Sequence, residues 1–143
     1  MKKTLLLLGL GLIVLACANS KRAMKKKAAI VHPVILSNDF SKFARESVET
    51  NINNAVIADS ILTLSVSYNG GCQDHKFELV GSKIVQKSMP PIRGVILVHH
   101  ANNDDCRELI NEDIKFNVSA FKYPGSDVML KLQGYESNIL LKK

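Results

Sequence analysis

Two hydrophobic rhythms divide this chain. From Ile61 to Tyr68 the residues alternate strictly: Leu62, Leu64, Val66 and Tyr68 fall on one face, and Thr63, Ser65 and Ser67 on the other. A period of two with one polar face predicts a half-buried antiparallel strand. Asn69, Gly70 and Gly71 follow, residues that tolerate positive φ, and predict a tight hairpin turn. His75, Phe77 and Leu79 then share a face of the next strand, opposite Lys76 and Glu78. The connection over 81–93 carries Pro90 and Pro91 and has room for a short strand at 82–86. Val95, Ile96, Leu97 and Val98 form an almost continuous apolar run ending at His99, the pattern of a strand covered on both faces. Alternation resumes over 114–119, and again where Val128, Leu130 and Leu132 interleave with Met129, Lys131 and Gln133. Ile139, Leu140 and Leu141 predict a last short strand.

Upstream the pattern is weaker. Residues 28–36 are apolar but interrupted by Pro33, which cannot donate to a ladder, so an edge strand or strand start is expected. Ser37, Asn38 and Asp39 give a turn or N-cap signal. Phe40, Phe43, Ala44, Ser47 and Val48 then recur at spacings of three and four, which predicts a short helix over 40–48. Asn51, Asn53 and Asn54 predict a loop. Six or seven short strands with turn signals between them indicate an all-β domain, a small sandwich of Greek-key or immunoglobulin-like type occupying residues 29–143. A core of this size is marginal without a staple.

The first residues belong to a different class of segment. Met1, Lys2 and Lys3 are a short basic start, and residues 4–16 are Leu-rich and apolar. This is the layout of a secretory signal peptide; the run falls short of the about 20 apolar residues of a spanning helix. Val14, Leu15, Ala16 and Cys17 resemble the lipobox of bacterial lipoproteins, with Val14 in place of the commoner Leu. The resemblance implies a signal at residues 1–16 that is removed, and Cys17 as the lipidated (palmitate-bearing) first residue of the mature chain, anchored to a membrane. Two or three acyl chains hold far more firmly than one, at about 0.8 kcal/mol per buried methylene.

Charge adds to that picture more than it changes it. The formal net charge is +6, and Lys21, Arg22, Lys25, Lys26 and Lys27 crowd into the segment over 17–28, read here as a basic tether. Such a cluster favours anionic headgroups. It is not a basic stripe with interleaved aromatics, so a nucleic-acid partner is not expected.

Candidate chemistry gathers at two stretches. The first runs Gly70–Gly71–Cys72–Gln73–Asp74–His75–Lys76–Phe77–Glu78–Leu79, and the second His99–His100–Ala101–Asn102–Asn103–Asp104–Asp105–Cys106. With Cys17 set aside, Cys72 and Cys106 form an even pair in an exported chain, which favours a structural disulfide. Its loop of about 35 residues would stabilise by about 3–4 kcal/mol. The alternative is zinc or copper held by Cys72, His75, His100 and Cys106, since mixed thiolate and imidazole ligands suit those metals. His99 and His100 point to opposite faces of a strand, so at most one reaches any given site. Residues 100–105 also alternate oxygen-bearing positions, as calcium loops do, yet they lack the downstream bidentate Glu, and a solvated turn is expected. Together the motifs GGCxxHxFxL and HxNxDxC resemble a group of uncharacterised exported bacterial proteins. That resemblance implies a β-rich extracytoplasmic domain with this cysteine pair and brings no known activity.

No Gly-x-Ser-x-Gly, His-Glu-x-x-His or phosphate loop occurs, so no catalytic residues and no cofactor are expected. A Cys72 nucleophile beside His75 would be silenced by oxidation with the second cysteine. Asn117, Val118 and Ser119 match a glycosylation sequon without consequence in a bacterium. The chain therefore reads as a membrane-anchored protein of the cell envelope, facing outward from the cytoplasm, a non-catalytic binding or scaffold module.

Overall fold

The computed structural model describes residues 30–143; the expected signal segment, Cys17 and the basic segment up to residue 29 lie outside the described residues. Nine strands, one α-helix and one 3-10 turn follow in the order β1 (Val31–His32), β2 (Val34–Ser37), α1 (Phe40–Glu46), β3 (Asn51–Ala58), β4 (Ile61–Gly70), β5 (Lys76–Gln86), β6 (Ile92–His100), β7 (Glu108–Asn117), the 3-10 turn Ser119–Phe121, β8 (Val128–Leu132) and β9 (Ile139–Leu141). They build the expected two-sheet β fold. One sheet has the order β1-β7-β4-β3 and the other β2-β5-β6-β8-β9.

Pro33 sits between β1 and β2, and the chain changes sheets there. β1 lies parallel to β7, and β2 parallel to β5, each at the edge of its own sheet. A residue with no N–H is tolerated at that point because neither ladder needs a donor from it. β4 is antiparallel to both its neighbours, β3 and β7, as its alternation requires.

The core lies between the sheets. Leu62, Leu64 and Val66 of β4, Ile114 and Phe116 of β7, Phe77 and Leu79 of β5, Val95 and Leu97 of β6, and Val128, Leu130 and Leu132 of β8 all point into it. β6 is buried on both faces, as its apolar run predicts. Ile96 and Val98 turn away from the sandwich interior and, with Val80, meet Phe40, Phe43 and Ala44 of α1. The helix thus exists to cover the outer face of one sheet. Asp39 caps it by accepting a hydrogen bond from the Lys42 amide at 3.3 Å.

Three expectations change. Residues 69–71 make no hairpin: β4 and β5 belong to different sheets, and the glycines carry the chain across the gap between them. The tight hairpin lies instead between β3 and β4, where Asp59 and Ser60 both take positive φ and Ala58 pairs with Ile61. Residues 51–54 are strand rather than loop; the three asparagines sit on an edge strand whose register slips between Ile52 and Asn54. The short strand at 82–86 is the far end of β5, continuing past an irregularity between Gly81 and Val85.

Candidate functional site

Three segments enter or cross between the sheets at one pole of the sandwich. Residues 47–50 lead from α1 to β3, residues 71–75 from β4 to β5, and residues 101–107 from β6 to β7. A crossing segment leaves backbone groups without ladder partners, and buried polar groups need partners. Asp104 supplies them. Its Oδ2 accepts from the amides of Cys72 and Gln73, both at 2.9 Å, and its Oδ1 accepts from the amide of Cys106 at 2.9 Å. One carboxylate therefore binds two crossings to each other.

The same Oδ2 meets His75 Nε2 at 3.0 Å, with both side chains essentially sealed from solvent. His75 Nδ1 lies 2.6 Å from His99 Nε2, and His99 Nδ1 lies 2.7 Å from the Thr50 hydroxyl. One assignment of protons satisfies this chain throughout. Thr50 donates to His99, His99 donates to His75, and His75 donates to Asp104. Residue 99 is held from its backbone as well: its amide donates to Ser47 Oγ at 3.1 Å, and its carbonyl accepts from the Val48 amide at 3.0 Å. All three segments thus converge on one line of hydrogen bonds.

Two further rings pack against that line. Phe77 stacks on His99 with centroids 4.4 Å apart, and Tyr68 stands edge-on to His99 at 4.7 Å. Tyr68 also lies 4.7 Å from His75. Its hydroxyl donates to Glu112 Oε1 at 2.8 Å.

The electrostatics follow from burial and partners. His99 is 1% exposed, and burial, with His75 beside it, pushes its pKa from 6.5 down to about 4. The hydrogen bond from His75 holds the Asp104 carboxyl well below the usual carboxylate range; the amides of Cys106, Gln73 and Cys72 act in the same direction, and burial opposes them. Burial first, and then Glu112, pushes the Tyr68 hydroxyl above its ordinary value, which keeps it a donor.

Glycine is required where these loops close. A Cβ on Gly70 would lie 2.5 Å from His75 Nε2 and 3.1 Å from Asp104 Oδ2, so the ring occupies the space a side chain would need. Gly71 has φ +115°, a conformation L side chains rarely adopt.

Cys72 and Cys106 are joined as a disulfide, their Cα atoms 5.9 Å apart, inside the range that bridging needs. The pair ties together the same two crossings that Asp104 does. His75 stands nearby, on Asp104. His100 does not join them: it follows His99 on the strand, faces outward, and lies 3.8 Å from Glu78. The histidine that reaches the cluster is His99. Among the described residues the group with metal-ligand spacing is Cys72, Asp104 and Cys106, which includes neither histidine of the expected zinc or copper set. The oxygen-bearing run at 100–105 does not close around a cation position either. Asp104 turns inward onto amides, Asn102 donates to the Asp74 carbonyl, and Asn102 and Asn103 make a turn with positive φ.

Thr50, Tyr68 and Glu112 carry no motif that marks them for this cluster. His99 had one available signal, as the polar end of a strand otherwise buried on both faces.

No protein-family model matches the chain, and no curated protein does. Solved structures do share its fold. One is a protein of unknown function, DUF1344, from Bacteroides vulgatus, with a TM-score of 0.57 and 14% identity over 80% of this chain and 57% of that one. Another is a NigD-like immunity protein from Bacteroides caccae, with a TM-score of 0.56 and 15% identity over 78% of this chain and 58% of that one. The chain therefore spans less than three-fifths of either, and what the three share is the two-sheet architecture.

Proposed function

We propose that this protein is a lipid-anchored module of the bacterial cell envelope that acts by binding or scaffolding rather than by catalysis, with Cys17 as the lipidated residue. The observation that carries the extracytoplasmic half of this reading is the Cys72–Cys106 bridge. Disulfides persist in oxidising compartments and are rare in the bacterial cytoplasm. The lipobox-like Val14–Leu15–Ala16–Cys17 supports the anchor, and the basic residues after it suit an anionic membrane surface. The polar cluster supports the non-catalytic half. Its hydrogen bonds engage both nitrogens of His75 and of His99, and all of them run between segments of the fold. That one protein of this fold is described as an immunity protein also favours a binding role.

Labelled palmitate taken up by the native protein and lost in Cys17→Ser is the expected result. Equal labelling, or unchanged detergent partitioning of that variant, would overturn the anchor. A second reading, metal handling through Cys72 and Cys106, draws on Asp104 beside the two sulfurs rather than on His100. Thiol titration separates the two readings. Two thiols released only by reductant support the staple, and stoichiometric zinc or copper with thiols reactive after chelation supports the metal.

A further inference from the structure

The end of the sandwich away from the Asp104 pole is basic. β5 and β6 run as one hairpin from Lys76 opposite His100, near that pole, to Gln86 opposite Ile92 at the far end. β8 starts beside Ile92 and β9 ends beside Val128, so Asp127, Lys142 and Lys143 lie at the far end too. Lys122 follows β7, whose Asn117 pairs with Ile61 at the end of β4 away from Gly70. Lys83, Lys87, Arg93, Lys122, Lys142 and Lys143 thus collect there, outnumbering Asp39, Asp59 and Asp127. Two of those three carboxylates already accept backbone amides: Asp39 takes that of Lys42, and Asp127 that of Lys143.

The tip of the β5–β6 hairpin combines that charge with apolar groups held out in water. No acidic residue stands between Glu78 and Asp104 in the sequence. Met89 is 100% exposed and Ile84 72% exposed, one beside the Lys87 region of the tip and the other next to Lys83. Pro90 and Pro91 restrict the backbone that carries Met89. With Leu140 they line an apolar hollow of about 440 Å³. Behind the tip, the Arg93 guanidinium is buried and donates only to the carbonyls of Phe121 and Ser82. Burial lowers its pKa, and among the described residues no carboxylate pairs with it, so its charge adds to the field of the tip uncancelled.

We propose that this tip, residues 83–91, is a docking surface for an anionic lipid bilayer. Met89 and Ile84 enter the boundary of the acyl chains, while Lys83 and Lys87 stay level with the headgroup phosphates. Aliphatic side chains interleaved with lysines suit that boundary, where apolar burial and attraction to anionic lipid add together. A protein partner fits less well. The centre of a protein interface is packed and rich in aromatic residues, and residues 83–91 contain none. The contact takes from the envelope reading only that a membrane is within reach. It does not depend on lipid at Cys17, so it stands or falls separately from the anchor.

Depth-dependent quenching tests it. The mature protein carrying Met89→Cys, labelled with a fluorescent dye, is mixed with vesicles of phosphatidylcholine alone or with about 30% phosphatidylglycerol. Flotation with the neutral vesicles reads the anchor, and a quencher carried on the lipid reads the tip. On the anionic vesicles the dye at residue 89 should be quenched several-fold more than one at Glu49→Cys, an exposed position in the 47–50 segment of the Asp104 pole. Adding Lys83→Gln/Lys87→Gln should cut the quenching at residue 89 by about threefold or more, since each lysine near such a surface counts. Equal quenching at both positions would overturn the proposal, as would quenching that ignores either the anionic lipid or the two lysines. A dye at residue 89 shielded by polyglutamate and untouched by anionic vesicles would assign the tip to an acidic protein, and the bilayer would be ruled out.

Discussion

At the scale of single residues, the polar pole is held by groups whose charge state folding fixes. His99 is neutral in the folded protein because its pKa lies near 4 rather than 6.5. Between those values the unfolded chain binds the proton that the folded chain refuses. Stability is therefore complete above about pH 6.5 and falls as the pH drops toward 4, by a total on the order of 3 kcal/mol. Asp104, depressed rather than raised, adds its own loss only below the ordinary carboxylate value of 3.8. Denaturation midpoints measured from pH 7.5 to 4 should show this slope, and His99→Leu should flatten it while lowering stability at neutral pH, where the native cluster is complete. A second residue-scale expectation concerns Gly70. Gly70→Ala drives a methyl into the His75 ring, and Asp104 anchors that ring from the other side, so the cost should be about 1–3 kcal/mol by chemical denaturation.

Why sequence reading chose His100 over His99 is also a residue-scale matter. The alternation rule shows that only one of two adjacent strand residues can face inward, and it does not say which one. The decisive fact is a pairing, Phe77 opposite His99, which sets both on the inner face. Pairing is non-local information. Asp104 was equally hard to place, since an Asn/Asp-rich loop looks the same whether its carboxylates face water or three amides.

At the scale of elements, period-two strands were legible and their partners were not. β4, β6 and β8 are where the alternation puts them, and the helix begins at its expected cap. A Gly-Gly pair after a strand reads as a hairpin because local sequence encodes the bend. Whether the next strand returns beside the first or on the opposite sheet depends on the rest of the core. β3 was missed because its three asparagines carry turn chemistry, and an edge strand needs few apolar residues to persist. The helix offers a test of its covering role. Phe43→Ser should expose Ile96 and Val98, cost about 1–3 kcal/mol and increase dye binding at the surface, with far-UV circular dichroism still that of a β protein.

For the whole molecule, the bridge and the Asp104 clamp act on the same two crossings, and each crossing joins one sheet to the other. Losing the bridge should loosen the attachment between sheets without unpairing either. Cys72→Ala and Cys106→Ala should each cost about 2–4 kcal/mol and lower the melting temperature alike, with the double variant no worse than either single one. Additive losses would show that the cysteines act separately. At the opposite pole Arg93 does comparable work without covalent help. Its Nε donates to the Phe121 carbonyl at 3.0 Å and its guanidinium also reaches the Ser82 carbonyl.

The position of the bridge along the chain also sets an order of assembly. Cys72 and Cys106 flank β5 and β6, which are consecutive strands paired from Lys76 with His100 down to Gln86 with Ile92. That hairpin, like the one between β3 and β4, is a local pairing, whereas β4 with β7 joins residues from 38 apart (Gly70 with Glu108, 108 − 70) to 56 apart (Ile61 with Asn117, 117 − 61). Closing it brings the two thiols together at its mouth before β7 has found β4 or β2 has crossed to its edge. Oxidation therefore needs only two of that sheet's five strands in place, and the oxidised hairpin then holds the ends of β4 and β7 side by side for the pairing that remains.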